Sequence, residues 1–167
     1  MTTIISLFGV AIALAEIGFA ICKYTKETTR KRRSETLDVY NQVFFDTYAL
    51  LELYSNTIGN KAILSDEIYQ RPEIYKAVMN YLTKMESFAK GLEYEVYDFK
   101  TFVYLTPNEL FEILSSFKDF IYKERKNKAY DLLFNDFVYL TDVMSLCVQA
   151  KLRGEKIKFK YAQMKKV

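Results

Sequence analysis

The sequence predicts an all-α protein: an N-terminal transmembrane helix followed by a small antiparallel cytoplasmic helical bundle. Three observations carry this. Residues Ile4 to Cys22 form an apolar run with one charge, Glu16. A basic stretch ending at Arg33 follows at once. From there to Lys151, apolar residues recur at three- and four-residue spacing, the period of helices that bury one face.

The first element is residues 4–22. A helix rises about 1.5 Å per residue, so about 19 residues roughly match a hydrocarbon core of about 30 Å. A secretory signal would carry positive charge before its apolar core; here no Lys or Arg precedes Lys23. A buried helix of a soluble protein is a further reading. The four consecutive basic residues Arg30, Lys31, Arg32 and Arg33, and the terminal position, argue against it. The positive-inside rule places the N-terminus outside and everything from Lys23 onward in the cytoplasm. The expected location is therefore the cell membrane, spanned once, with a cytoplasmic C-terminal domain. Residues 23–36 form a basic juxtamembrane segment. Arg30, Lys31, Arg32 and Arg33 are its candidate contacts with anionic lipid headgroups, at about 1 kcal/mol per side chain near the surface.

Within the anchor, Ser6, Gly9, Ala13, Glu16 and Ala20 share one helix face. Ala11, Ala15, Gly18 and Cys22 lie on the opposite side. Small residues let membrane helices approach closely, and two such faces suit a homo-oligomeric ring. Gly and Ala are also simply frequent in membrane helices. The Glu16 carboxylate is costly in a bilayer and is expected to face a partner or water.

Residues 37–151 make the cytoplasmic helical domain. Leu37, Tyr40, Phe44, Tyr48, Leu51 and Ile58 continue the helical spacing up to Gly59-Asn60. The anchor is thus expected to run on as one long helix, with Thr25, Thr28 and Thr29 weakening it. Residues 61–71 read as a loop with one helical turn. Pro72 suits the first position of a second helix, with an apolar face of Ile74, Val78, Tyr81, Leu82, Met85 and Phe88 and a stop at Gly91. Asp98 is expected to start a short helix. Thr106-Pro107-Asn108-Glu109 has the form of a capping box. It opens a helix that Lys123 to Lys128 should break. A last helix is expected from about Ala129 to Lys151. Residues 152–167 read as a basic flexible tail, including the alternating segment Lys156 to Tyr161.

Composition excludes much chemistry. There is no His, which removes the commonest acid-base group and metal ligand. The two cysteines, Cys22 and Cys147, give neither a disulfide framework nor a zinc cluster. No glycine-rich phosphate loop, nucleophile–base motif, HExxH or CxxC occurs. No enzyme activity, cofactor or metal is expected. Glu93, Glu95 and Asp98 are close enough in sequence to hold a hard cation, or to form a solvated acidic turn. The 14 Tyr and 13 Phe side chains suit a core and its rim, or the stacking of a nucleotide. Residues 34–150 carry 11 basic and 18 acidic side chains, between two basic ends. An acidic body argues against a nucleic-acid partner and places both ends near the membrane.

Residues 81–125 carry a looser pattern. It consists of Tyr81 and Leu82, then Glu86, Phe88, Ala89 and Gly91, then Tyr97 and Asp98, and finally Ile121 and Arg125. This resembles a bacterial domain-of-unknown-function family that joins one N-terminal membrane helix to a small cytoplasmic helical domain. The resemblance implies a polar cluster of Glu86, Asp98 and Arg125. Its two readings are an ion pair that registers two helices and a ligand or catalytic site.

The function expected is a single-pass, membrane-anchored protein acting as a sensor, docking or membrane-effector component. It would work through oligomerisation of the anchor, with a possible protein partner. The alternative is a membrane-tethered module that binds a small, nucleotide-like ligand without pore activity.

Overall fold

The computed structural model describes residues 2–58, 65–106, 108–128 and 130–153, with the side chains at 2–14, 57–58, 109 and 151 outside the description. Six helices are present among these residues: α1 (Thr2–Ile58), α2 (Ser65–Gln70), α3 (Pro72–Glu93), α4 (Phe99–Leu105), α5 (Asn108–Lys128) and α6 (Asn135–Leu152). The regular structure among the described residues is all-helical, as its periodicity predicts.

α1 is continuous over 57 residues. The three threonines expected to weaken it turn their hydroxyls onto its own backbone. Thr25, Thr28 and Thr29 donate to the carbonyls of Ile21, Tyr24 and Thr25 at 2.7, 2.9 and 2.8 Å. The helical ladder survives this back-bonding. Thr36, Tyr40, Val43, Thr47, Leu50 and Tyr54 are buried at three- and four-residue steps, so the bundle grips α1 along one face from Thr36 onward. Ala15 to Glu27 are exposed throughout.

Among the described residues, no helix is long and apolar enough to cross a membrane. Most of the expected span at 4–22 falls on side chains outside the description. In its described part Ile17, Phe19 and Ile21 are exposed.

α3 is the centre of the bundle, packed by α1, α2 and α6. Pro72 stands at its first turn, where the missing N–H costs nothing. All six residues of its predicted face are buried. α5 packs on α2 and α6, and α4 on α1. Aromatic rings join these layers: Phe88 meets Phe102 edge-on at 4.8 Å, and Tyr81 meets Phe117 at 5.5 Å. Asp98 caps α4, its Oδ1 accepting from the Thr101 N–H at 2.7 Å.

Three boundaries differ from expectation. Gly91 does not end α3, which runs on to Glu93; the left-handed residue beyond it is Glu95, at φ 56°. Lys123 to Lys128 does not break α5. That stretch stays helical, with Lys128 bridged to Glu124 at 3.0 Å one turn back. The last helix begins at Asn135, not near Ala129, because residues 131–134 form a turn that ends with Phe134 at φ 53°. Leu132, expected on that helix, is exposed on the turn. Thr106 donates its hydroxyl to the Phe102 carbonyl of α4 at 2.8 Å. The rest of the expected capping box, Pro107 and the Glu109 side chain, lies outside the described residues. So do residues 59–64 and the tail from Gly154.

Candidate functional site

The three polar residues implied by the family pattern do not gather at one point. Each holds a piece of backbone. Glu86, on α3, reaches the start of α6 and accepts from the N–H groups of Asp136 and Phe137 at 3.3 and 2.8 Å. The first N–H groups of a helix lack partners within it. The residue before α6 is Phe134, whose side chain has no oxygen to cap them. Glu86 supplies that oxygen from another helix. Burial pushes its carboxyl above the ordinary value, against the pull of the two N–H groups, and the neighbouring Asp136 adds to the rise.

Arg125, on α5, donates from Nε to the Leu133 carbonyl at 2.8 Å, and its guanidinium lies 5.6 Å from the Tyr122 ring centre. Its Nη2 is buried with no hydrogen-bond partner. The expected Glu86–Arg125 ion pair is therefore not formed. The two side chains instead hold the same α5–α6 connection, Glu86 just after the turn and Arg125 within it. Asp98 has a separate task. It caps α4, while its own N–H donates to the Thr36 hydroxyl of α1 at 2.7 Å.

The rest of the pattern is structural as well. Leu82, Ala89 and Ile121 are fully buried. The Tyr81 and Thr47 hydroxyls share a buried 2.6 Å bond between α3 and α1. Phe88 stacks on Tyr97 at 5.2 Å. The Gly91 carbonyl accepts from the N–H groups of Val96 and Tyr97.

A fourth polar cluster was not read from the sequence. Glu124 is 2 % exposed, and Tyr75 donates to it at 2.9 Å. Burial pushes its carboxyl up, but hydrogen bonds from Lys128, Tyr69 and Tyr75 outweigh this and leave it below its ordinary value. Burial and Glu124 together push the Tyr69 phenol up. The four-residue step from Glu124 to Lys128 is visible in the sequence. The two phenols arrive from α2 and α3 and leave no local signal.

The outer surface of α1 carries the remaining candidates. Of the expected headgroup contacts, Arg32 is bridged to Glu95 at 3.2 Å and Lys31 to Glu35 at 3.8 Å. Arg30 and Arg33 line a shallow surface groove with Thr25, Lys26 and Thr29. In the expected anchor-packing face, Glu16 and Ala20 are exposed, while the side chains of Ser6, Gly9 and Ala13 lie outside the description. A second groove, between α1 and α3, would suit the nucleotide-like ligand of the alternative reading, but the lysine on its wall, Lys84, is paired with Asp46 at 2.8 Å. Among the described residues, no group of three or more His, Cys, Asp or Glu side chains is arranged to hold a metal ion. That includes Glu93, Glu95 and Asp98.

A family model described as a domain of unknown function, DUF4760, matches residues 3–143. No curated protein and no solved structure matches the chain.

Proposed function

This chain belongs to the DUF4760 family, and from that premise we propose that it is a single-pass membrane protein whose cytoplasmic bundle docks a partner protein. The observation that carries the reading is α1 itself, unbroken from Thr2 to Ile58. One helix joins the apolar run 4–22, the basic band and the buried face that begins at Thr36. Such a rod passes any rotation or tilt of the anchor directly to the bundle.

Distances along the rod assign the basic residues. Each headgroup layer is about 5–7 Å thick, and the helix advances about 1.5 Å per residue. Lys23 and Lys26 therefore fall at the headgroups. Arg30 to Arg33 lie beyond them and attract anionic lipid across about one Debye length, about 8 Å at physiological salt. The bundle begins about 20 Å from the hydrocarbon edge. The face of Ser6, Gly9, Ala13, Glu16 and Ala20 joins anchors of neighbouring copies, and Glu16 faces a neighbour rather than lipid. The bundle offers a partner packed helices fixed by buried capping contacts, which suits docking better than chemistry.

The test is topology in the cell. A reporter fused after Val167 is expected to be active in its cytoplasmic form and silent in its periplasmic form. The opposite pattern would overturn the orientation and the docking role together.

A further inference from the structure

Just beyond the apolar run, one face of α1 is lined with cations. Lys23, Lys26, Arg30 and Arg33 follow 3-4-3 spacing, so they share a side of the helix. All four are exposed. Among the described residues none of them makes an ion pair, whereas Lys31 is matched to Glu35 and Arg32 to Glu95, on other sides of α1. Glu27, the one acidic side chain in the stretch 23–33, stands beside the stripe without bridging to it. The chain thus supplies counter-charges for two of its basic residues and leaves this face positive. Lys26, Arg30 and Arg33 also border one shallow groove with Thr25 and Thr29. Both threonines donate their hydroxyls to the backbone of α1, so the three cations are what the groove offers an anion.

Position and direction identify the occupant. With Cys22 at the hydrocarbon edge, the backbone of Lys26 stands about 6 Å beyond it, and that of Arg30 and Arg33 about 12 and 16 Å. Side chains on an α-helix lean toward its N-terminus, which here is toward the bilayer. The long stems of Arg30 and Arg33 therefore carry their charges back toward the headgroups, as basic side chains do when they snorkel. A guanidinium grips a phosphate through two parallel N–H bonds. Arg30 and Arg33, one turn apart above Lys26, suit the phosphate of a lipid that lies against α1. A soluble acidic partner would meet the same cations only after displacing that lipid.

We propose that Lys26, Arg30 and Arg33, with Lys23 at the hydrocarbon edge, form a one-sided site on α1 for the phosphate of an anionic phospholipid. Lys31 and Arg32 do not belong to it. This deepens the proposed function, in which the whole basic band draws anionic lipid by its charge. It rests on that reading for one point, that residues 4–22 lie in the bilayer.

Native mass spectrometry of the full-length protein, titrated in micelles with phosphatidylglycerol or phosphatidylcholine, tests the site. The unaltered protein is expected to bind phosphatidylglycerol more tightly by about ten-fold or more, since each Lys or Arg near a headgroup contributes about five-fold. Arg30→Gln with Arg33→Gln is expected to weaken that binding by about twenty-five-fold on the same scale. Lys31→Gln with Arg32→Gln removes the same charge from adjacent positions and is expected to weaken it by less than about three-fold, the two side chains being matched within the chain. Equal losses in the two pairs would mean that charge alone matters and would overturn the site, as would an absence of preference for phosphatidylglycerol. Displacement of the lipid by millimolar inorganic phosphate would reassign the stripe to a soluble anion and overturn the lipid. Alkaline extraction of membranes separates the two ideas. A protein that is retained there but shows no preference removes the site alone, whereas release of the unaltered protein removes the anchor and the site together.

Discussion

The ring of Tyr97 lies where a Cβ on Gly91 would have to stand, with its Cε2 and Cδ2 edge against that position. Gly91 is thus needed for close approach inside α3, not for ending it. The contact folds the chain after α3 back onto the helix, and so sets where Asp98 begins α4.

Gly91→Ala is expected to destabilise the protein by about 1–3 kcal/mol through overpacking. In a Tyr97→Ala background the same change should be neutral or slightly stabilising, because alanine is favoured over glycine inside a helix by about 1 kcal/mol. Denaturant titration of the four proteins of this cycle reads the coupling. Additive losses would mean that the ring and the glycine act independently.

Glu86→Ala leaves two N–H groups of α6 without their acceptor. Loss of a cap costs about 0.5–2 kcal/mol, and loss at a half-buried site belongs at the upper end. Arg125→Ala should cost less than a broken buried ion pair, about 3–5 kcal/mol, because Arg125 faces a carbonyl rather than Glu86. Their combined effect should be close to additive. A double-mutant cycle by thermal melting checks this; strong coupling would restore the ion pair.

Glu124 gives stability a sign with pH. Its folded-state value lies below the ordinary 4.5, so the unfolded chain binds the proton first. The stabilisation is present above 4.5 and is lost as pH falls through the lowered value. Glu86 is shifted the other way, and its contribution declines as pH rises through its raised value. Glu124→Gln should therefore flatten the acid limb of the stability profile, and Glu86→Gln should not. Urea unfolding across pH 3 to 7, a span of about four units around these carboxyl values, separates the two.

Glu95 occupies the left-handed region at φ 56°, where a side chain costs about 1–2 kcal/mol and glycine almost nothing. Its bridge to Arg32 is largely exposed and worth about 0–1 kcal/mol. Glu95→Gly should be more stable than Glu95→Ala, since both lose the bridge and glycine alone relieves the backbone. Equal melting temperatures would place the turn's stability elsewhere.

Much of the helical order was legible because it is local. The buried face of α3, Pro72 at its start and the Asp98 cap all lie within a few residues of the signals that predict them. α6 was misplaced because its start depends on Glu86, about fifty positions upstream, which no window along the chain can join to it. Glu124 was missed for the same reason. The family pattern singled out Glu86, Asp98 and Arg125, each of which binds backbone. It did not reveal that role, which a list of opposite charges suggests least.

The most direct test of the membrane reading is alkaline carbonate extraction of membranes from cells making the full-length protein. An apolar helix that spans the bilayer keeps the protein in the pellet, whereas a basic band held by charge alone is released. Retention is the expected result, along with release of a variant in which Ile12, Leu14 and Ile17 are replaced by Asp, each costing about 2.5–3.5 kcal/mol at the centre of a span. Release of the unaltered protein into the supernatant would contradict the anchor and the docking role built on it.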